Sequence, residues 1–279
     1  MTDKRTILIV ENLNVTIKNG VTRFPVLKDV SFTIREGERW AIAGESGAGK
    51  SMTMNAIAGL LPEGSTEYTG SILFHEKNGE WMDLLQMPYQ SRRSFISEQI
   101  AIIFQDSINA LNPNERIMKQ WGDTIRLHHP EMSNNDVENH ILDQMEIFGV
   151  RGGHETLHRF PDQLSGGMRQ RIAIAMALES EAQILIADEP TTSLDAITQR
   201  NTIEFIRGLL DRRRWTLLFI SHNLGILQYM CDHIIIMKDG RIVEQGETEE
   251  LFQSGKEEYT RQLVSETRKI MGDHEVCDE

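Results

Sequence analysis

Gly44-Glu45-Ser46-Gly47-Ala48-Gly49-Lys50-Ser51 fits the pattern G-x-x-x-x-G-K-[ST], and no other stretch restricts the fold of this chain so tightly. The pattern has meaning only between a strand and a helix. Before it, Trp40-Ala41-Ile42-Ala43 reads as a short buried strand; after it, Met52 to Leu60 reads as a helix stopped by Gly59 and Pro62. Gly44, Gly47 and Gly49 let the backbone curl so that successive N–H groups point at phosphate oxygens, and the helix N-terminus adds the positive end of its dipole. Lys50 is then placed to neutralise β- and γ-phosphates, and Ser51 to offer a hydroxyl to Mg²⁺. The eight residues are expected to bind a nucleotide together.

The flanking sequence supplies a sheet for this loop. Residues 7–17 and 26–34 alternate apolar and polar and read as antiparallel strands separated by Asn19-Gly20 and Pro25. A hairpin is predicted where Gly70 to Phe74 and Trp81 to Leu85 flank Asn78-Gly79. From about Ser91 to Pro161 the character changes. Ile100 to Phe104 is a short apolar strand, followed by helical stretches near Ile117 to His128 and Asn135 to Phe148, with Asn135-Asp136 as a start and Gly149 as a stop. Ile184 to Ala187 and Trp215 to Ile220 are buried-strand runs on either side of a helical segment, Ala196 to Leu210, which is the rhythm of a parallel sheet. Ile234 to Met237 and Arg241 to Glu244 flank Asp239-Gly240 as a second hairpin. The segment from Glu249 is charged and partly helical, and its acidic end, Asp273 to Glu279, reads as solvated.

Ile184-Leu185-Ile186-Ala187-Asp188-Glu189 carries two acids at the C-terminal end of a buried strand, where open parallel sheets bind ligands. Asp188 is placed to hold Mg²⁺. Glu189, one residue on, is placed to orient or deprotonate a water that attacks the γ-phosphate.

Composition excludes several other classes. With 279 residues, of which 39% are hydrophobic, the chain has enough material for one large α/β domain with an insertion, or for two small domains. A net charge of −13 argues against a nucleic-acid backbone as partner, since counterion release needs a basic face. Cys231 and Cys277 lie far apart, so neither a disulfide framework nor a metal cluster is expected, and a reducing compartment fits. No run approaches the length that spans a bilayer.

Together these segments resemble the ATP-binding subunit of an ABC transporter. Leu164-Ser165-Gly166-Gly167-Met168-Arg169-Gln170-Arg171 is similar to the family's signature sequence, Gln105 in Ile102-Ile103-Phe104-Gln105-Asp106 to its glutamine loop, Ser193-Leu194-Asp195 to its D-loop, and His222 in Ile220-Ser221-His222 to its switch histidine. The resemblance implies ATP and Mg²⁺ as cofactors, with Gln105 reaching both the metal and the attacking water. It makes Glu189, His222 and Gln105 the catalytic set, and Ser51, Gln105 and Asp188 the metal set. Ser165-Gly166-Gly167 opens a helix and so forms a second anion site. In the family that site, with Gln170 in the signature, caps the ATP of a second subunit in a head-to-tail pair, and Asp195 belongs to the D-loop. One position departs from the pattern: where the family stacks an aromatic ring on adenine, this chain has Ile17, with Phe24 as the nearest aromatic.

Finer similarity points to the oligopeptide, dipeptide and nickel importer group. It lies in Gln105 to Pro113, in Phe160 to Leu164, in Ala187 to Asp195, and in Tyr259-Thr260. The cysteine-bearing C-terminal extension of many peptide-importing members is missing, so an iron–sulfur site is not expected. The fold implied is a P-loop NTPase α/β core, RecA-like, with an N-terminal antiparallel β region and an inserted helical subdomain. Its expected divisions are residues 1–90 and 164–255 for the core, 91–163 for the insertion and 256–279 for a tail. The partners implied are a second ABC ATPase subunit, two transmembrane permeases and, indirectly, an external solute-binding protein, with the chain peripheral on the cytoplasmic face of the membrane. The alternative is a soluble, non-transport ABC ATPase of the assembly type.

Overall fold

The computed structural model describes residues 4–105, 110–180, 182–191, 196–213 and 215–275. The long strands β1 (Thr6–Asn19) and β2 (Thr22–Arg35) form a ribbon; after β3 (Arg39–Ala43) and helix α1 (Lys50–Ile57) the chain returns in β4 (Thr66–His75) and β5 (Trp81–Asp83). Helix α2 (Tyr89–Gln99) leads into β6 (Ile100–Ile103), and then come α3 (Ile117–His128), α4 (Asn134–Ile147), α5 (Gly153–Leu157) and α6 (Gly166–Ala177). The remainder alternates through β7 (Ile184–Asp188), α7 (Ala196–Arg213), β8 (Thr216–Ile220) and α8 (Leu224–Met230). A hairpin of β9 (His233–Lys238) and β10 (Arg241–Glu247) precedes α9 (Thr248–Ser254) and α10 (Glu258–Glu275).

Two sheets result. One is antiparallel with strand order β2-β1-β4-β5; the other has order β10-β9-β3-β8-β7-β6, parallel except for β10. The five parallel strands of the six-stranded sheet are buried on both faces, which is why they read as short apolar runs, whereas the edge strand β10 is largely exposed or half-buried. Successive residues face opposite cores. Ala41, Leu185, Ala187, Leu217 and Phe219 pack with the helices, whereas Ile42, Ile184, Ile186, Leu218 and Ile220 pack against the four-stranded sheet. The C-terminal ends of β3 and β7 thereby come to one edge, with the loops that follow them.

The α/β class, the N-terminal antiparallel region and the helical insertion are all present. Details differ for local reasons. Strand β2 continues through Pro25, which pairs with Thr16 beside a register shift; β2 is the edge of its sheet, where a missing N–H costs little. Helix α4 starts at Asn134 because the Ser133 hydroxyl accepts the Asp136 N–H, a better cap than the expected Asn135-Asp136 start. Strand β6 lies inside the span 91–163 yet pairs with β7, Ile100 opposite Ile184 through Ile103 opposite Ala187, so we place the helical insertion after β6. The C-terminal segment packs rather than floats: Tyr259, Thr260, Leu263 and Val264 are buried, three of them in the core under the helices. The Glu244 carboxylate accepts the N–H groups of Lys256 and Glu257 just ahead of α10. Cys277 and the last four residues lie outside the described residues, as does the segment 106–109.

Candidate active site

The loop between β3 and α1 is shaped by what surrounds it. Gly44 has φ 145°, and a Cβ there would meet the Met237 carbonyl oxygen of β9 at 2.3 Å. Gly49, at φ 106°, lies against Gly240, whose Cα would be 3.2 Å from an added Cβ. Backbone bonds complete the brace: Gly240 N–H donates to Ala48 O at 3.0 Å, and Lys28 N–H donates to Gly240 O at 2.8 Å. The β9–β10 turn thus braces the loop, and β2 in turn braces that turn. Gly44→Ala is expected to cost about 2–4 kcal/mol from overpacking and φ strain together. Its melting temperature should fall by roughly 5–10 °C in a thermal scan; an unchanged midpoint would show that β9 yields to the added methyl.

A cleft of about 680 Å³ opens over this loop, lined among others by Gly47, Gly49, Lys50, Ser51, Glu189 and His222. Lys50 is 7% exposed, and its Nζ donates to Gly44 O at 2.8 Å and Glu45 O at 2.9 Å. Burial holds the Lys50 pKa below its ordinary value, opposed by the charges of Glu189 and Asp188. Asp188, the last residue of β7, accepts a hydrogen bond from the Ser51 hydroxyl; burial raises its pKa first and the adjacent Glu189 raises it further, against the Ser51 bond and Lys50. Its Oδ1 is buried without a hydrogen-bond partner. A buried carboxylate oxygen still seeking a partner, next to a hydroxyl, is an all-oxygen donor pair suited to a hard cation such as Mg²⁺, which keeps waters and takes its other ligands from phosphates. Among the described residues no group of three or more His, Cys, Asp and Glu side chains could hold a metal by itself.

Glu189 sits at φ 44°, in the left-handed region, and its N–H donates to Ile220 O of β8 at 2.9 Å. That turn aims its carboxylate at His222, whose Nδ1 lies 3.1 Å from Glu189 Oε1. His222 comes two residues after β8, where Asn223 caps α8 by accepting the Ile226 N–H.

Other expected residues stand apart. Gln105 is exposed two residues beyond β6 and does not line the cleft. Ile17 and Phe24 face each other across β1 and β2, yet neither lines the cleft, where Pro25, Val26 and Lys28 stand instead; Ile17 packs on the core, and Phe24 is 50% exposed. Ser165 caps α6, its hydroxyl accepting the Met168 N–H. With Gly167, Met168, Arg151 and Arg171 it lines a separate cleft of about 720 Å³ that shares no residue with the first. Gly166 and Gly167 have open space around them. Gln170, expected with the signature at the ATP of a second subunit, is 3% exposed, and its amide is bonded to Pro190 O and Thr202 Oγ1. Asp195 lies outside the described residues.

Three contributors were not foreseen. Lys28 lines the cleft and donates through Nζ to Asp239 O at 3.2 Å; the Asp239-Gly240 turn was read as a hairpin only; and the Tyr259 hydroxyl accepts the Glu45 N–H at 3.2 Å. Each contact spans about two hundred residues or joins separate strands, so local pattern carries no trace of it, although Tyr259-Thr260 had stood out by resemblance.

The profile of the family described as ABC transporter matches residues 27–192. The chain is 36% identical over 265 residues to the dipeptide transport ATP-binding protein DppD of Bacillus subtilis, covering 95% of this chain and 77% of that protein. It is 34% identical over 269 residues to the metal-staphylopine import system ATP-binding protein CntD of Staphylococcus aureus, covering 96% of each. Some other relatives are longer, and the chain spans about half of their length. Among solved structures it is similar to the dimeric, post-hydrolysis state of the ATP-binding cassette MJ0796 bound to ADP and Pi, with a TM-score of 0.71 and 25% identity, covering 87% of this chain and 99% of that one.

Proposed function

The chain belongs to the ABC transporter family, as an ATP-binding subunit that hydrolyses ATP, and from that membership we propose that it powers solute uptake through two membrane permeases. The observation that carries the chemistry is the convergence of Lys50, Ser51, Asp188, Glu189 and His222 on one cleft at the edge of the parallel sheet. In this reading the triphosphate lies over Gly47, Gly49 and Lys50, and Lys50 gives up its bonds to Gly44 O and Glu45 O to meet the β- and γ-phosphates. Ser51 and Asp188 hold Mg²⁺, which when bound neutralises charge on the phosphate oxygens.

Glu189 takes a proton from the water that attacks the γ-phosphorus as the bond to the ADP oxygen breaks. His222, hydrogen-bonded to Glu189, holds that carboxylate in line. Gln105, exposed two residues beyond β6, is the third member of the catalytic set in this reading, with an amide that can meet both Mg²⁺ and the attacking water. The adenine lies toward β2, over Pro25 and Val26, with Phe24 as the neighbouring ring.

The separate cleft at Ser165 and Gly167 gives the chain a second phosphate-facing surface that its own nucleotide does not reach. Two chains set head to tail each supply this surface to the other's ATP, and the dimeric state of the MJ0796 cassette supports that pairing. The import-system relatives support separate permeases as partners, with this chain docked on their cytoplasmic side; no helix among the described residues is long and apolar enough to cross a membrane. The solute class we propose is a peptide or a metal chelate, on the strength of the DppD and CntD relatives.

Purifying the tagged chain from native membranes in mild detergent and identifying its companions by mass spectrometry tests this reading. Two multi-span permeases and a second ATPase are expected. Recovery from the soluble fraction alone, without a membrane partner, would overturn transport.

A further inference from the structure

Glu189 holds a backbone conformation that a side-chain-bearing residue seldom adopts, and it is followed by proline. Such a turn persists only where its surroundings fix it. On the N-terminal side the Glu189 N–H is bonded to Ile220 O of β8, and the carboxylate meets His222. On the C-terminal side the next carbonyl, that of the buried Pro190, accepts a hydrogen bond from Gln170 Nε2 at 3.0 Å. Gln170 is itself fixed, because its Oε1 accepts from Thr202 Oγ1 of α7 at 3.1 Å. A second strap runs from Gln199 Nε2 of α7 to Thr191 Oγ1 at 3.1 Å.

Gln170 stands on α6, the helix whose first residues line the second cleft. Helix α6 is anchored on its other flank by Arg171, which donates to Phe148 O at 2.9 Å. A rigid helix therefore has one end at the surface offered to another chain's nucleotide and, one turn in, a buried amide on the backbone beside the carboxylate of its own site.

We propose that Gln170 is a positioning residue for Glu189, which couples the setting of the carboxylate in one cleft to occupation of the other. It touches no nucleotide. The inference rests on Glu189 as the acceptor of the water's proton. A tilt of α6 when the partner's phosphates dock at Ser165 and Gly167 reaches Pro190 through a single hydrogen bond, and the turn at Glu189 has no slack to absorb it. Turnover in each chain then answers to the nucleotide held by its partner.

The test is steady-state hydrolysis of ATP with Mg²⁺, beside equilibrium ATP binding and a thermal scan, on the full chain and three variants. Gln170→Met keeps the volume and removes both bonds; it should lower kcat by about 10- to 100-fold while KM and ATP affinity stay within about twofold. Thr202→Val removes only the support of Oε1 and should lower kcat by a smaller factor with the same split. The double variant should be no slower than Gln170→Met, because both changes act through one bond. An unchanged kcat in Gln170→Met overturns the proposal, as does a fall in kcat matched by a rise in KM and a lower melting temperature, the mark of general loosening. If Gln170→Met does not fold, Thr202→Val decides by the same split. A wild-type chain that binds ATP but does not turn it over defeats the reading of Glu189 itself, a different result from any of these.

Discussion

Glu189→Gln is expected to keep ATP bound and to lower turnover by roughly 10²- to 10⁴-fold. The amide has the size of the carboxylate and tolerates the same backbone turn, so the cleft keeps its shape. What is lost is the ability to take a proton from water. Electrostatics does not oppose binding in the variant: with Glu189 neutral, the like charge that adds to burial in raising the Asp188 pKa disappears. The ATP-loaded state then accumulates, and a pair of chains joined by nucleotide should persist on a sizing column in ATP·Mg²⁺ where the wild type falls apart. Turnover at the wild-type rate would remove Glu189 from its role.

Lys50→Ala acts one step earlier, on binding. Nζ is the one side-chain cation on the loop, and a charge-assisted bond to phosphate in a shielded cleft contributes about 2–4 kcal/mol. ATP affinity should therefore fall by roughly 30- to 1000-fold in a calorimetric titration. The fold should survive, since burial already disfavours the charged form of Lys50 and its removal relieves that cost. Two consequences oppose each other locally: Gly44 O and Glu45 O lose a donor, and Asp188 and Glu189 lose a countercharge. Undiminished affinity would mean that phosphate lies elsewhere than on this loop.

Much of this architecture was legible because burial on both faces of a sheet writes itself as short apolar runs, and Ile184 to Asp188 and Thr216 to Ile220 carry that mark. Turn chemistry did the same for the Asn78-Gly79 and Asp239-Gly240 hairpins. The loop from Gly44 to Ser51 was readable for a stricter reason: at Gly44 no side chain fits beneath the Met237 carbonyl. The contacts between distant segments were not readable. Tyr259 accepts a hydrogen bond from the backbone N–H of Glu45, and Lys28 faces the cleft from β2, because two sheets and a terminal helix meet there. Gln170 shows the limit of motif reading. Its place in the signature pairs it with the ATP of a second subunit, and nothing in that pattern tells that the position after one turn of helix carries the side chain inward.

A strand buried on both sides is read twice, its alternate residues by different cores. One residue added to β7 would turn Ile186 toward the helices and Ala187 toward the four-stranded sheet, so both cores would lose their partners in a single step. Two added residues would restore the facing but carry Asp188 and Glu189 past the cleft edge. Changes of length in this chain are therefore confined to turns such as Lys77 to Gly79 and the connection from His129 to Ser133. Along this edge of the sheet, exchanging one side chain for another keeps the register that a change of length would break.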